Sequence, residues 1–185
     1  MTAEATRPEA RPRESHRLRS AGPGSDAAVH DRLPADVLTA GTVPIRRFAG
    51  GRLSPALAVV LAADVAPDTH PEAVHLAAGG TFLALELRGG DGDAVFVVSE
   101  RLLPLELDGA LRLYLGGRLV AETAAEELGR PADRLAWLAR RVGGLHAGEL
   151  VLLGSAASCE ARPGTVEVWG PLASTLTTTL SEDES

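Results

Sequence analysis

One stretch constrains the fold more than any other. From Leu128 to Ser155 the chain spells out a helix, a sharp stop and a short strand. Gly129 and Pro131 open the helix, because proline brings a preset φ to the first helical position, where its missing N–H has no partner to lose. Leu135, Leu138 and Val142 recur at helical spacing with Ala136 and Ala139 beside them. Asp133, Arg134, Arg140 and Arg141 mark the opposite face, so the helix has one apolar stripe that must find a core. Gly143-Gly144 ends it, since glycine enters the left-handed region without a Cβ clash. Leu150–Leu153 then reads as a buried strand running into Gly154-Ser155.

The remaining elements are mostly strands. Leu53–Leu61 is a continuous apolar run, Pro71–Ala78 a short helix, and Thr81–Leu87 an alternating strand. Gly89 to Asp93 forms a turn leading into a strand at Ala94–Val98. Leu111–Leu115 and Arg118–Ala121 make a hairpin across Gly116-Gly117, a dipeptide suited to the positive φ of a two-residue turn. A last strand of alternating residues is expected from Leu172 to Leu180. Many strands with few helices, without a βαβ alternation or an internal repeat, indicate the α+β class.

The chain of 185 residues suits one domain, and its 45% apolar content supplies a sizeable core. Residues 1–30 are rich in Arg, Glu, Pro, Ala and Ser without apolar periodicity and read as a disordered extension. The single domain is then expected over 31–180, with an acidic tail over 181–185. The extension has two readings, a solvated tail or an arm that orders on a partner or over a site, where Arg7, Arg11, Arg13, Arg17 and Arg19 could bind an anion. A formal charge of −7 argues against nucleic-acid binding. All 18 basic residues are arginine, which excludes a Schiff-base or general-base lysine. Cys159 has no second cysteine to pair with, no apolar run reaches membrane-spanning length, and the N-terminus lacks a signal-peptide core, so a cytoplasmic protein is the default.

The Leu128–Ser155 unit, with its Ala136-Trp137-Leu138-Ala139 and Gly144-Leu145-His146-Ala147-Gly148 segments, resembles the C-terminal signature of the 2-keto-4-pentenoate hydratase group of the fumarylacetoacetate hydrolase superfamily. Arg162-Pro163-Gly164-Thr165-Val166 extends that resemblance, which spans roughly residues 33–180. It implies a mixed β-roll with a few short helices. It also implies a small-molecule substrate, and a homo-oligomer or a subunit of a related enzyme complex.

Departures from the pattern bear on chemistry. In those hydratases a strand related to Arg52–Val59 carries two glutamates that hold a divalent ion, with a third carboxylate in a later strand. Here Ser54 and Ala56 stand at the first two positions, and Ala84-Leu85-Glu86-Leu87 keeps the third. Magnesium favours octahedral oxygen coordination that includes carboxylates, and one carboxylate with one hydroxyl provides too few ligands for a protein-held ion. The resemblance therefore implies no resident metal or cofactor, leaving only weak magnesium binding in which a substrate adds oxygens. The family's upstream lysine segment and its loop after the third ligand have no counterpart.

Glu86 is the candidate catalytic residue, as general acid/base or residual cation ligand; the alternation around it equally allows a solvated strand face. Arg52, Ser54 and Ser155 are candidate substrate-binding residues: a bidentate guanidinium, a hydroxyl donor and a turn whose amides can cradle an anion. Each has an ordinary alternative as a surface arginine, a satisfied core serine and a plain turn. His70 and His75 are poorly placed for one helix face, Cys159 with His146 lacks an orienting third group, and Trp137 reads as core. Two functions follow. One is a metal-independent hydratase-like enzyme doing lyase, isomerase or cyclase chemistry on a small enolisable 2-oxo acid or 1,3-dicarbonyl. The other is a noncatalytic scaffold or partner subunit.

Overall fold

The computed structural model describes residues 15–20, 28–33, 36–38, 41–48, 50–90 and 93–182. The larger sheet contains β1 (Ser15–Ser20), β2 (Ala28–Leu33), β3 (Asp36–Leu38), β5 (Arg52–Leu61), β6 (Ala78–Arg88), β7 (Ala94–Val98) and β10 (Leu150–Gly154), in the spatial order β2-β1-β10-β5-β6-β7-β3. A two-residue strand, β11 (Cys159–Glu160), also pairs with β5. The second sheet runs β4 (Thr42–Pro44), β13 (Ser174–Ser181), β12 (Gly164–Gly170), β8 (Ala110–Leu115) and β9 (Arg118–Ala124). Two helices, α1 (Pro71–Ala77) and α2 (Pro131–Val142), pack on each other.

The connection between β2 and β3 determines the shape of the larger sheet. These strands lie at its opposite edges, yet only two residues separate Leu33 from Asp36. Three Cα steps span at most about 11 Å, so the edges must approach each other and the sheet curls into a roll. Parallel pairing of β1 with β10 and β3 with β7 makes it mixed.

Strand alternation divides the side chains between two apolar clusters. Odd-numbered residues of β5 such as Leu53, Leu57, Val59 and Leu61 face the main core, which also takes Leu111 and Leu113 of β8, Val166 and Val168 of β12, and Leu135 and Leu138 of α2. The other face holds Ala56, Ala58, Ala84, Phe96 and Leu152, and this face lines the inside of the roll. Alanines dominate β5 there because a tightly curled sheet has little room for branched side chains on its concave face.

The helix expected from Pro131 forms, with Gly143 left-handed at φ 89° and its N–H donating to Ala139 O, but Arg134, expected on the polar face, is buried and its Nε donates to Leu128 O (3.1 Å). Trp137 is partly buried against the main core. The expected strands at Leu53–Leu61, Thr81–Leu87 and Ala94–Val98, and the Gly116-Gly117 hairpin, are present with slightly wider bounds. The turn before β7 is described only at its ends, since residues 91–92 lie outside the described set.

Two further expectations differ from the structure. Leu172 does not begin the last strand: Leu172 and Ala173 have φ of 56° and 53° in a turn after Pro171, and β13 starts at Ser174. Residues 15–20 and 28–30 lie upstream of the boundary expected near residue 31, yet they form β1 and part of β2 within the main sheet. Residues 1–14, with Arg7, Arg11 and Arg13, lie outside the described set. Among the described residues no helix is long and apolar enough to cross a membrane.

Candidate functional site

β5 and β6 are antiparallel in continuous register from Arg52↔Arg88 to Val60↔Gly80, so partners share a face. Ser54 stands directly opposite Glu86, and Ala56 opposite Ala84. On the other side of β5, Ala56 pairs with Gly154 of β10, which in turn pairs with Arg19 of β1. The inside of the roll therefore gathers Ser54, Glu86, Gly154 and the β1 arginines onto one surface. Glycine at 154 keeps that surface low, since an added Cβ would lie 3.4 Å from Arg19 Cγ and 3.7 Å from Glu86 Oε2.

The solvated-face reading of Glu86 does not hold, for the residue is only 3% exposed. Its face is the interior of the roll, and its Oε1 accepts a hydrogen bond from Arg17 Nη1. Arg17 is itself 4% exposed and donates through Nη2 to Asp31 Oδ2, on which Arg19 Nη2 also converges at 3.4 Å. Two guanidinium groups and two carboxylates thus form a network of balanced formal charge. Burial works against the charge of Arg17, but Glu86 and Asp31 outweigh it and hold the guanidinium more firmly protonated than usual. Burial also opposes the charge of Asp31, yet the bonds from Arg17 and Arg19 keep its carboxyl below the ordinary range. The Nε atoms of Arg17 and Arg19 are buried without a hydrogen-bond partner.

The other expected residues fall around this network. Ser54 is buried beside Glu86. Ser155 is buried at the end of β10, where its N–H donates to Pro55 O (3.3 Å) and its Oγ accepts from Ala157 N (2.9 Å). That amide is thus already paired within the fold. Arg52 is exposed at the start of β5, and its Nε and Nη2 donate to Ser158 Oγ (2.8 Å) and Ser158 O (3.0 Å). His70 caps α1 by accepting from Glu72 N, and His75 faces Glu106 at 3.8 Å. His146 faces Asp64 at 3.7 Å, whereas Cys159 lies near Arg52 and Arg162 with its thiol pushed up by burial. These four residues take no part in the network inside the roll.

The donor set can be tested against a divalent ion. Among the described residues no three His, Cys, Asp or Glu side chains come together to hold one. The one carboxylate at a ligand-like position is bound by a guanidinium. A cation on Glu86 Oε1 would meet a resident positive charge, so these residues do not fit a magnesium site.

No family model and no curated protein matches the sequence. Solved structures do. The 4-oxalocrotonate decarboxylase from Pseudomonas putida G7, complexed with magnesium and adipate, superposes with a TM-score of 0.74 at 18% identity, covering 91% of this chain and 77% of that one. A protein assigned to the fumarylacetoacetate hydrolase family from Yersinia pestis CO92 gives 0.71 at 14% identity, over 91% and 92% of the two chains. The chain has the fumarylacetoacetate hydrolase fold. The 5-carboxymethyl-2-hydroxymuconate delta-isomerase from Mycobacterium smegmatis shares it, with a TM-score of 0.71, 14% identity and coverage of 93% and 80%.

Within this fumarylacetoacetate hydrolase fold, sequence reading missed Arg17, Arg19 and Asp31 as members of the network around Glu86, and missed that Arg88 stands opposite Arg52. Arg17 and Arg19 read only as arm residues, because Glu86, the partner of Arg17, lies 69 positions away and the partner of Arg19, Asp31, lies on another strand. Arg88 carried a signal only through its register with Arg52, and α1 interrupts the chain between their strands.

Proposed function

We propose that this protein is a divergent, metal-independent hydratase-like enzyme that does lyase, isomerase or cyclase chemistry on a small enolisable 2-oxo acid or 1,3-dicarbonyl. The observation that carries this reading is the Arg17–Glu86 pair inside the roll. A fixed guanidinium balances the carboxylate where the hydratase pattern would have a cation, and Glu86 Oε2 remains directed toward Gly154. In this scheme Glu86 takes a proton from the carbon beside the substrate carbonyl and returns it elsewhere. Arg17 keeps Glu86 oriented, and the Ser54 hydroxyl donates to the developing enolate oxygen. That two of the similar structures are a decarboxylase and a delta-isomerase agrees with chemistry through an enol.

The test is proton exchange. 2-Oxobutanoate and acetylacetone are incubated in D2O with the full chain and EDTA, and loss of the exchangeable C–H signal is followed by NMR. Catalysed exchange that is unchanged by magnesium and lost in Glu86→Gln is the expected result; glutamine keeps an acceptor for Arg17. Exchange that appears only with magnesium, or that survives Glu86→Gln, refutes the scheme.

The second reading, a noncatalytic scaffold or partner subunit in a homo-oligomer or related complex, is supported by one observation. Trp169 is 48% exposed beside Tyr114 on the outside of the second sheet, as an interaction surface would be. No exchange with either compound, together with a homo-oligomeric mass in light scattering or a stable complex on co-expression with a related enzyme, would favour it.

A further inference from the structure

The first pair in the β5–β6 register is Arg52↔Arg88, two positions before Ser54↔Glu86 and on the same face. Two residues along a strand span about 7 Å, so the arginines stand one pleat from Glu86, toward the end of the strands where Arg52 is exposed. Like charges directly opposite on neighbouring strands repel, and such a pair is stable when an acid or a bound anion lies between them. Among the described residues no acid pairs with Arg88. Arg52 bonds Ser158 through Nε and Nη2, which leaves Nη1. Glu160, opposite Arg52 on β11, turns to Arg162 at 2.8 Å. The two arginines line a cavity of about 310 Å³ whose other walls are Gly50, Gly89 and Gly90. Cβ positions at Gly50 and Gly90 have no atom within 4 Å, so the space beside them is open.

We propose that Arg88 and Arg52 form an anion subsite in this cavity that takes the carboxylate of a small oxo acid, with Arg88 its principal residue. Guanidinium groups match a planar carboxylate through paired N–H donors. Bare glycine backbone lets the anion approach both. Glu86 one pleat below does not repel the ligand strongly, because Arg17 balances it. The choice of an oxo acid rests on the function proposed above; the subsite itself rests on the arginine pair and its cavity.

The test uses 3,3-dimethyl-2-oxobutanoate, an oxo acid with no hydrogen on C3 that cannot enolise, titrated into the full chain at low ionic strength and followed by calorimetry. Saturable binding is expected, weakened at least tenfold in Arg88→Met and partly restored in Arg88→Lys, with the melting temperature of each variant recorded alongside. Arg52→Gln, at an exposed position, provides a second variant and should weaken binding severalfold. Absence of saturable binding to the unaltered chain overturns the proposal, as does undiminished affinity in folded Arg88→Met. Inorganic phosphate binding more tightly through the same arginines would overturn the carboxylate assignment. Binding that depends on Arg88 without catalysed exchange of 2-oxobutanoate would leave the subsite standing and remove the chemistry. Catalysed exchange with KM unchanged in Arg88→Met would do the reverse.

Discussion

Replacing Arg17 by methionine is the most revealing perturbation of this molecule. Both members of the Arg17–Glu86 pair are almost wholly buried, and methionine preserves much of the side-chain volume. Removing one partner of a buried pair leaves an uncompensated charge, which typically costs about 3–5 kcal/mol. For a domain of this size, that corresponds to a fall in melting temperature of roughly 6–20 °C. The pair is asymmetric, because Arg17 retains Asp31 when Glu86 is altered, whereas among the described residues Glu86 has no second cation when Arg17 is lost. Glu86→Gln should therefore cost less, about 1–3 kcal/mol. The double variant Arg17→Met/Glu86→Leu removes both charges and should be more stable than Arg17→Met alone by at least about 1 kcal/mol. Urea unfolding of the four proteins compares these losses directly. A loss below about 1 kcal/mol in Arg17→Met, or a double variant no more stable than Arg17→Met, would show that the guanidinium does not sit on Glu86 as described.

Two further outcomes follow from other parts of the fold. His30 lies against His16 (3.1 Å between Nδ1 of His16 and Nε2 of His30), and burial, followed by the nearby His16, pushes its pKa down. The unfolded chain then binds the proton more readily, so the stability this site contributes is complete above about pH 6.5 and is lost as pH falls toward the depressed folded value. Thermal melts at several pH values should show that acid-side loss reduced in His30→Asn; an unchanged profile would contradict it. Gly170→Ala should destabilise by about 1–3 kcal/mol, because the new Cβ would lie 2.5 Å from Leu83 Cδ2 and 2.8 Å from Ser174 Oγ, and a chemical melt within about 0.5 kcal/mol of the unaltered chain would count against that packing.

What could be read from the sequence divides along a physical line. The helix at Pro131–Val142 and the strands Leu53–Leu61 and Ala94–Val98 declare themselves because their signals are local: caps, periodicity and apolar runs. β1 does not. Ser-His-Arg-Leu-Arg-Ser looks like a solvated tail, yet Leu18 faces the main core and Arg17 faces the roll interior, where its counter-charges arrive from other strands. Glu86 was visible as a candidate, but whether its face met water or the inside of a roll depended on how the sheet edges closed. Arg52 was singled out, while Arg88 opposite it was invisible until the register of two strands separated by a helix was known. Leu172 continues the alternation of the last strand in the sequence, but the left-handed φ values after Pro171 put it in the turn.

The place of β1 has a bearing on how the chain is made. Ser15 aligns with Leu150, about 135 residues later, and on its other side β1 has only the neighbouring strand β2. At about 5–20 residues per second, the first strand leaves the ribosome roughly 7–27 s before its parallel partner has been translated. A nascent β1–β2 hairpin must meanwhile carry Arg17 without Glu86 properly placed, since β6 reaches its final register only as the roll assembles. Long-range parallel pairing of this kind makes closure a late event. Pulse-chase proteolysis of the nascent chain should find the N-terminal hairpin accessible until the β10 segment emerges.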